Sequence, residues 1–336
     1  MKHLKWLGGL AAMALLLSKP QAAVDGAARA MAHWYTSVAP ALFPFLALMP
    51  LLTCEAAVAA YEALLGRFMG VCFNLPGAAA PGMIVGMAAG TPAGALAARD
   101  VAARGGMNRG QLQRLAVASA GFSPAFLVGG VGAGMLNSAA TGWKLFSAQM
   151  LTQITMMALL RHVWEGRAES VEAAGDEIED RPIRGAVWTI VTICGYMTLF
   201  GALSGVLGAW IGEGSADALL CLLDVPSGTL RVAGMALRED VRLSLLAGMC
   251  NFGGLCVIAQ SLGTLKGCGI SPWEYGSVRV LAGLLGAGYM ALLQKLPFPT
   301  EAQYIEAIWK NPLAAGALIT AVLAVIVLRK SNKSIS

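Results

Sequence analysis

Residues 115–136, LAVASAGFSPAFLVGGVGAGML, are apolar and numerous enough to cross a bilayer. The middle of this segment nevertheless contains residues that a helix tolerates poorly, namely Gly121, Ser123, Pro124, Gly129 and Gly130. Unsatisfied backbone groups are costly in hydrocarbon, so an interrupted membrane helix persists only where protein or water covers the interruption. The segment therefore predicts a broken helix that lies against a protein-lined or water-filled space.

Composition places the whole chain among polytopic membrane proteins. Of its 336 residues 57% are hydrophobic and 13% are charged, about half the charged share of a typical soluble domain. We expect an all-α fold with about eight spanning helices, near 4–18, 37–53, 112–136, 143–163, 186–211, 243–265, 273–294 and 313–329. Residues 1–23 have the basic head of a signal peptide, but Pro20 and Gln21 fit a cleavage site poorly, which favours a retained helix.

Two further apolar stretches, 78–98 and 216–237, are expected to form re-entrant hairpins. The motifs GTPAG at 90–94 and VPSG at 225–228 interrupt them with residues that do not continue a helix comfortably. A hairpin of this kind enters the membrane and returns to the side from which it came.

Lys and Arg residues indicate the orientation, because cytoplasmic loops of membrane proteins are enriched in them. The basic head, Arg67, the cluster at 99–114 and the tail at 329–333 are all expected in the cytoplasm. Hairpins that enter from opposite sides then place both termini in the cytoplasm. Two hairpins on the cytoplasmic side fit the charges almost as well.

An internal duplication is the strongest signal in the chain. Residues 121–151 align with residues 251–281 without a gap, and aromatic anchors 130 positions apart coincide, namely Phe122 with Phe252 and Trp143 with Trp273. Interruptions at matching positions of two repeats are the best sequence pointer to the central site of a transporter. Half-helix ends at such a site suit an anionic solute.

The predicted organisation has five parts: an N-terminal helix and amphipathic segment at 1–36, a first repeat at 37–164, an acidic cytoplasmic loop at 165–185, a second repeat at 186–295, and a C-terminal helix with a basic tail at 296–336. The seven cysteines include no C-x-x-C pair, and H-E-x-x-H is absent, so neither a metal nor a cofactor is expected. Basic residues lie at the ends of apolar runs, which disfavours a nucleic-acid partner.

Several motifs occur in a fixed order over roughly residues 35–295: ALFPFLAL (41–48), FNLPG (73–77), GMAAGTPAGA (86–95), FSPAFLVGGV (122–131) and the Trp143 helix. In these motifs the chain resembles the YlbJ-type sporulation integral membrane proteins, within the wider nucleoside-recognition (Gate) domain proteins. The resemblance implies a multi-pass protein of the outer forespore membrane that moves dipicolinate. It also implies inverted repeats like those of concentrative nucleoside transporters.

Candidate solute-binding residues are the polar and glycine residues at the hairpins and breaks: Thr91, Gly94, Ser119, Ser123, Asn251, Gly253, Gln260 and Arg238. Hydroxyls and bare N–H groups at these positions suit a carboxylate, and a guanidinium binds a carboxylate bidentately. Here the first hairpin tip, GTPAG, lacks the aromatic residue usual in the family. The second hairpin tip, usually small and polar, reads Arg238-Glu239-Asp240. These departures make the fold a safer expectation than the solute.

A transporter or facilitator of a small, anionic solute is the favoured function. Alternatives are a nucleoside or related carrier, and a non-transporting structural membrane partner in spore assembly. An intramembrane serine enzyme is disfavoured, because the G-x-S-x-G motif requires glycine where Ala125 stands. The expected partners are the solute and the lipid bilayer, and a homo-oligomer is left open.

Overall fold

A computed structural model describes residues 2–171, 182–211 and 222–296, and the described chain is all-helical. The helices are α1 Lys2–Ser18, α2 Pro20–His33, α3 Ala39–Thr53, α4 Glu55–Phe73, α5 Ala80–Ala88, α6 Ala93–Ala103, α7 Arg109–Ala118, α8 Ala139–Leu159, α9 Pro182–Ile211, α10 Val225–Gly234, α11 Glu239–Phe252, α12 Gly254–Thr264 and α13 Pro272–Leu293. π-helical turns at Trp34–Val38 join α2 to α3, and a π-helical segment, Ala125–Met135, follows α7.

Five helical segments of the described chain are long and apolar enough to cross a membrane: Pro20–Thr53, Glu55–Phe73, Ile183–Ile211, Glu239–Thr264 and Pro272–Leu293. The first of them combines α2 with α3, and the fourth combines α11 with α12. The chain is therefore a polytopic membrane protein, as its composition predicts, while the count of eight spans stays a prediction. The expected helix at 313–329 and residues 172–181 of the expected acidic loop lie outside the described residues. The first arm of the second hairpin, up to position 221, also lies outside them.

One end of the helix bundle is rich in arginine, and we call it the basic end. Its side chains connect several elements: Arg99 donates to Thr264 O at the end of α12 (3.0 Å), and Arg167 forms an ion pair with Glu274 at the start of α13 (2.7 Å). Helix α13 is 22 residues long, so its last turn lies about 30 Å away, at the opposite end. There the Gln294 amide donates to Asp240 O near the start of α11 (3.2 Å).

The sequence did not predict α4 as a separate helix. Both of its ends lie at the basic end: Thr53, just before α4, donates to Asp100 (3.5 Å), and Asn74, just after it, donates to Arg161 O (3.1 Å). A helix that begins and ends at one end of the bundle need not cross the membrane, despite its length. Arg67 is exposed on this helix, and its cytoplasmic location stays a prediction.

Helices α5 and α6 form a tight hairpin that covers residues 80–103, so it extends five residues past the expected stretch 78–98. Glycines allow its two arms to approach closely: a side chain at Gly94 would lie 2.4 Å from the Cα of Gly86. The hairpin begins and ends near the basic end, and its tip lies against the break that follows α7. The tip and the break form an isolated antiparallel bridge between Gly90 and Phe122.

Both expected broken helices are present, and they run in opposite directions. The first comprises α7, an interruption at 119–124 and the π-helical segment, and it begins at the basic end, where Arg109 pairs with Glu169 (3.2 Å). The second comprises α11 and α12, interrupted at Gly253, and it ends at the basic end. Each interruption therefore lies about midway between the two ends of the bundle.

Candidate functional site

The first break is covered by a hairpin tip and by one side chain of α8. Thr91 donates its N–H to Gly121 O (2.8 Å), and its hydroxyl accepts from the Gly121 N–H (3.0 Å). The buried Gln149 amide accepts from the Phe122 N–H and donates to Phe122 O, each at 2.8 Å. Thr91 and Gln149 thus satisfy the backbone groups of Gly121 and Phe122.

The second break depends on glycine. Gly253 has φ +91° and Gly254 has φ +69°, a left-handed conformation that residues with a Cβ rarely adopt. Two left-handed residues in succession end α11 and let α12 begin in a new direction. The carbonyl groups of the last turn of α11 are left without partners inside the helix.

Arg279 of α13 joins the two breaks. Its guanidinium donates to Phe252 O (3.1 Å) and to Asn251 O at the end of α11. It also donates to Ala120 O (2.9 Å) and Val117 O (3.3 Å) at the end of α7. The side chain is 2% exposed. One buried cation therefore lies where the C-terminal ends of two half-helices meet, and their dipoles favour a positive charge.

The ion pairs among the described residues do not include Arg279. Its charge is held by carbonyl dipoles rather than by a carboxylate. A buried guanidinium without a counter-ion retains a strong attraction for anions, because the low-dielectric interior screens it weakly. The convergence of the two breaks is thus an electropositive site.

Gln149 and Arg279 occupy equivalent positions in the expected duplication, 130 residues apart. Gln149 donates to Phe122 O, and Arg279 donates to Phe252 O, and each pair spans 27 residues. The sequence alignment contained this pair, but no role was predicted for either residue. The signal that could have found them was a polar residue at matching positions of two otherwise apolar helices.

The predicted residues of the first half lie at the first break, where they bond mainly to backbone. Ser119 donates its hydroxyl to Leu115 O (2.6 Å), and the Ser123 hydroxyl accepts from the Phe126 N–H (3.3 Å). Gly94 lies in the packed arm of the hairpin rather than at its surface. The polar side chains found here therefore stabilise the interruption itself.

The predicted residues of the second half are divided between two places. Asn251 and Gly253 lie beside Arg279, and Gln260 is buried in α12, where its amide contacts the Cys256 thiol (3.2 Å). The Arg238 side chain, in contrast, is 80% exposed and pairs with Asp240 (3.3 Å). The structure does not bring Arg238 to the breaks, and its role as a solute ligand stays a prediction.

A groove of about 1260 Å³ runs along α11 and α13 and reaches the second break. Charged residues line its outer part, among them Glu239, Asp240 and Lys295, and Phe252 lies at its inner part. The groove therefore runs from the opposite end of the bundle to Phe252, whose carbonyl oxygen accepts a hydrogen bond from Arg279. Among the described residues no cluster of His, Cys, Asp and Glu could hold a metal ion.

Comparison with known proteins gives one informative relative. The chain is 26% identical to "Sporulation integral membrane protein YlbJ" of Bacillus subtilis (strain 168) over 326 aligned positions, which cover 84% of this chain and 80% of the relative. No family model matches the chain. No solved structure matches it significantly. The comparison confirms the resemblance expected from the motifs: the chain is similar to a YlbJ-type sporulation integral membrane protein.

Proposed function

We propose that the chain is a carrier, rather than an enzyme, that moves a small anionic solute across a membrane of the sporulating cell. By the family resemblance the solute is dipicolinate, and the membrane is the outer forespore membrane. The observation that carries this proposal is the buried charge of Arg279 at the meeting point of two broken helices, where the described residues supply no carboxylate partner.

Electrostatics support an anionic solute over a neutral nucleoside. Four carbonyl oxygens hold the guanidinium in place, yet they bring no net negative charge to balance it. A carboxylate that enters the site would gain a charge-assisted interaction in a medium of low dielectric. A neutral nucleoside has no charge and would not gain this charge-assisted interaction.

The arrangement of the two breaks supports alternating access. The broken helices run in opposite directions, and the α5–α6 hairpin approaches from the basic end while α10 leads from the second break towards the opposite end. Equivalent side chains, Gln149 and Arg279, contact equivalent carbonyl groups. These relations favour inverted repeats with a solute site between them, the architecture of many secondary transporters.

Counterflow tests the proposal. Purified protein in liposomes loaded with unlabelled dipicolinate is expected to accumulate labelled dipicolinate, and a labelled nucleoside offered in the same way is not. Arg279→Gln is expected to lose counterflow of dipicolinate, and Arg238→Gln is its matched control, because it removes a positive charge at an exposed position. Counterflow of neither solute would instead favour the alternative of a structural membrane partner, and counterflow of the nucleoside alone would overturn the anionic assignment.

A further inference from the structure

The chain that follows α8, residues 161–171, lies across the basic end of the bundle, and we call it the strap. Its backbone accepts hydrogen bonds from the start of α7: the Arg109 N–H donates to Glu169 O (3.0 Å), and the Gly110 N–H donates to Arg167 O (3.1 Å). These are two of the N–H groups that the first turn of a helix leaves without partners inside the helix. The strap therefore completes the start of the first broken helix.

One side chain of the strap joins α7 to α13. The Arg167 guanidinium donates to both carboxylate oxygens of Glu274 in α13 (2.7 and 2.8 Å) and to the side-chain oxygen of Gln113 in α7 (2.6 Å). The Gln113 amide in turn donates to Glu274 (2.9 Å), which closes a ring of three side chains. Bidentate bonds between a guanidinium and a carboxylate are strong. The Arg167 and Glu274 side chains are nevertheless 28% and 34% exposed, so water competes for the ion pair and the ring is able to open.

The same two helices stay in contact from the ring to the breaks. Tyr275 in α13 donates its hydroxyl to Ala116 O in α7 (3.4 Å), and Arg279 donates to Val117 O and Ala120 O (3.3 and 2.9 Å). All five of these residues are at most 6% exposed. The ring and these contacts form one continuous seam between α7 and α13, and the seam separates the basic end from Arg279.

The other side of the site is open. The groove along α11 and α13 runs from the opposite end of the bundle to Phe252, whose carbonyl oxygen accepts from Arg279. A carrier that works by alternating access exposes its central site to one side at a time. The open groove and the closed seam correspond to one such state, in which the site faces the opposite end.

We propose that the strap is the gate of the basic end: rupture of the Arg167–Glu274 ion pair frees α7 from α13 and opens a path along the seam to Arg279. This inference rests on the proposed function and adds to it the element that controls access from one side. Glu274 and Arg279 are five residues apart in α13, or about 7.5 Å along its axis. The ring is thus close enough to the site for its opening to expose the guanidinium.

Thiol labelling of a cysteine placed in the seam measures how often the seam opens, because a buried thiol reacts in proportion to the population of the open form. The reporter is Ala116→Cys in a full-length chain whose native cysteines are replaced by alanine. Ala247→Cys in α11 is the matched reporter, because both alanines are 1% exposed. Loss of a partly exposed, charge-assisted bond in Arg167→Glu or Glu274→Arg is expected to raise the labelling rate at position 116 about tenfold and to leave position 247 unchanged.

Exchange of the two charges separates loss of the ion pair from loss of either residue. Arg167→Glu combined with Glu274→Arg restores an ion pair, and the Gln113 amide, which carries both a donor and an acceptor, is able to rotate to serve it. The labelling rate at position 116 is then expected to return close to that of the reporter alone. Arg238→Glu breaks an exposed ion pair at the opposite end and is expected to change neither reporter.

Unchanged labelling at position 116 in both single variants, or no recovery in the double variant, would overturn the gate. A rise at both reporters would show general unfolding and would overturn it as well. The labelling assay contains no solute. Expected labelling by a protein that shows no counterflow of dipicolinate would therefore support the gate and refute only the proposed solute.

Discussion

The exposed backbone groups of the two helix breaks are bound by side chains of different chemical type. At the first break a neutral amide, Gln149, and the hairpin-tip residue Thr91 bond to the exposed backbone. At the second break the chain turns through Gly253 and Gly254, and Arg279 supplies the hydrogen bonds. Arg279 also donates to Val117 O and Ala120 O of the first break, so the two breaks share one cation. The neutral amide of Gln149 nevertheless satisfies the Phe122 backbone groups, which correspond to those of Phe252. Hydrogen bonding at the matching position therefore does not require a charge, and this asymmetry indicates a functional role.

The largest effect is expected from removing the guanidinium and its donors together. Arg279→Leu leaves four buried carbonyl groups without their partner, and we expect a loss of about 3 kcal/mol or more in the free energy of unfolding. Chemical denaturation in detergent measures this loss, with Arg238→Gln as the control. A stability within about 0.5 kcal/mol of the wild type would show that Arg279 does not hold the breaks together.

Removal of the corresponding neutral residue is expected to have a smaller effect. Gln149→Leu leaves the Phe122 N–H and C=O groups buried and unpaired, at a cost of about 1–3 kcal/mol. The same denaturation assay measures it, and binding of dipicolinate is expected to stay close to the wild-type affinity. A selective loss of binding with unchanged stability would place the solute at the first break instead.

The left-handed backbone at the second break predicts that replacing Gly253 lowers stability by a similar or smaller amount. Gly253→Ala forces a Cβ into the left-handed region, which costs roughly 1–2 kcal/mol. Gly248→Ala on the same helix is the control, because its backbone is helical, although its new Cβ would lie 3.3 Å from Ala287. If Gly253→Ala is no more destabilising than Gly248→Ala, the turn at Gly253 is less constrained than its φ of +91° indicates.

The smallest effect is expected at the hairpin tip. Thr91→Val removes the hydroxyl that accepts from the Gly121 N–H, and we expect a loss of about 1 kcal/mol in stability. Thr91→Ser retains the hydroxyl and serves as the control. Equal melting temperatures for the Val and Ser variants would mean that the tip is held by its backbone contact alone.

Several elements of the fold could be predicted from periodicity and breakers. The break in residues 115–136 and the hairpin tip at 90–94 appear where Gly, Ser and Pro residues interrupt apolar runs. Helix α4 was not predicted, because Arg67 was used only as a signal of orientation and residues 55–73 were assigned to no helix. Its apolar composition does not distinguish a spanning helix from one whose two ends lie at the same end of the bundle.

The roles of the candidate site residues were hard to predict, because a polar side chain in an apolar chain can bond to nearby backbone as well as to a solute. Ser119, Ser123 and Thr91 lie at the break as expected, but their hydroxyls bond to nearby backbone groups. Arg279 lies within apolar sequence and could not be placed at the breaks without knowledge of which helices pack together. Only the tertiary structure shows that α13 passes both interruptions.

Dipicolinate binding to wild type, Arg279→Gln and Arg279→Lys tests the central claim most directly. Gln is the residue found at the equivalent position 149, so Arg279→Gln is expected to fold and to lose most of its affinity, whereas Arg279→Lys keeps the charge and retains part of it. Calorimetric titration of the three purified proteins gives the affinities. Equal affinity of Arg279→Gln and wild type would contradict the assignment of Arg279 as the anion site.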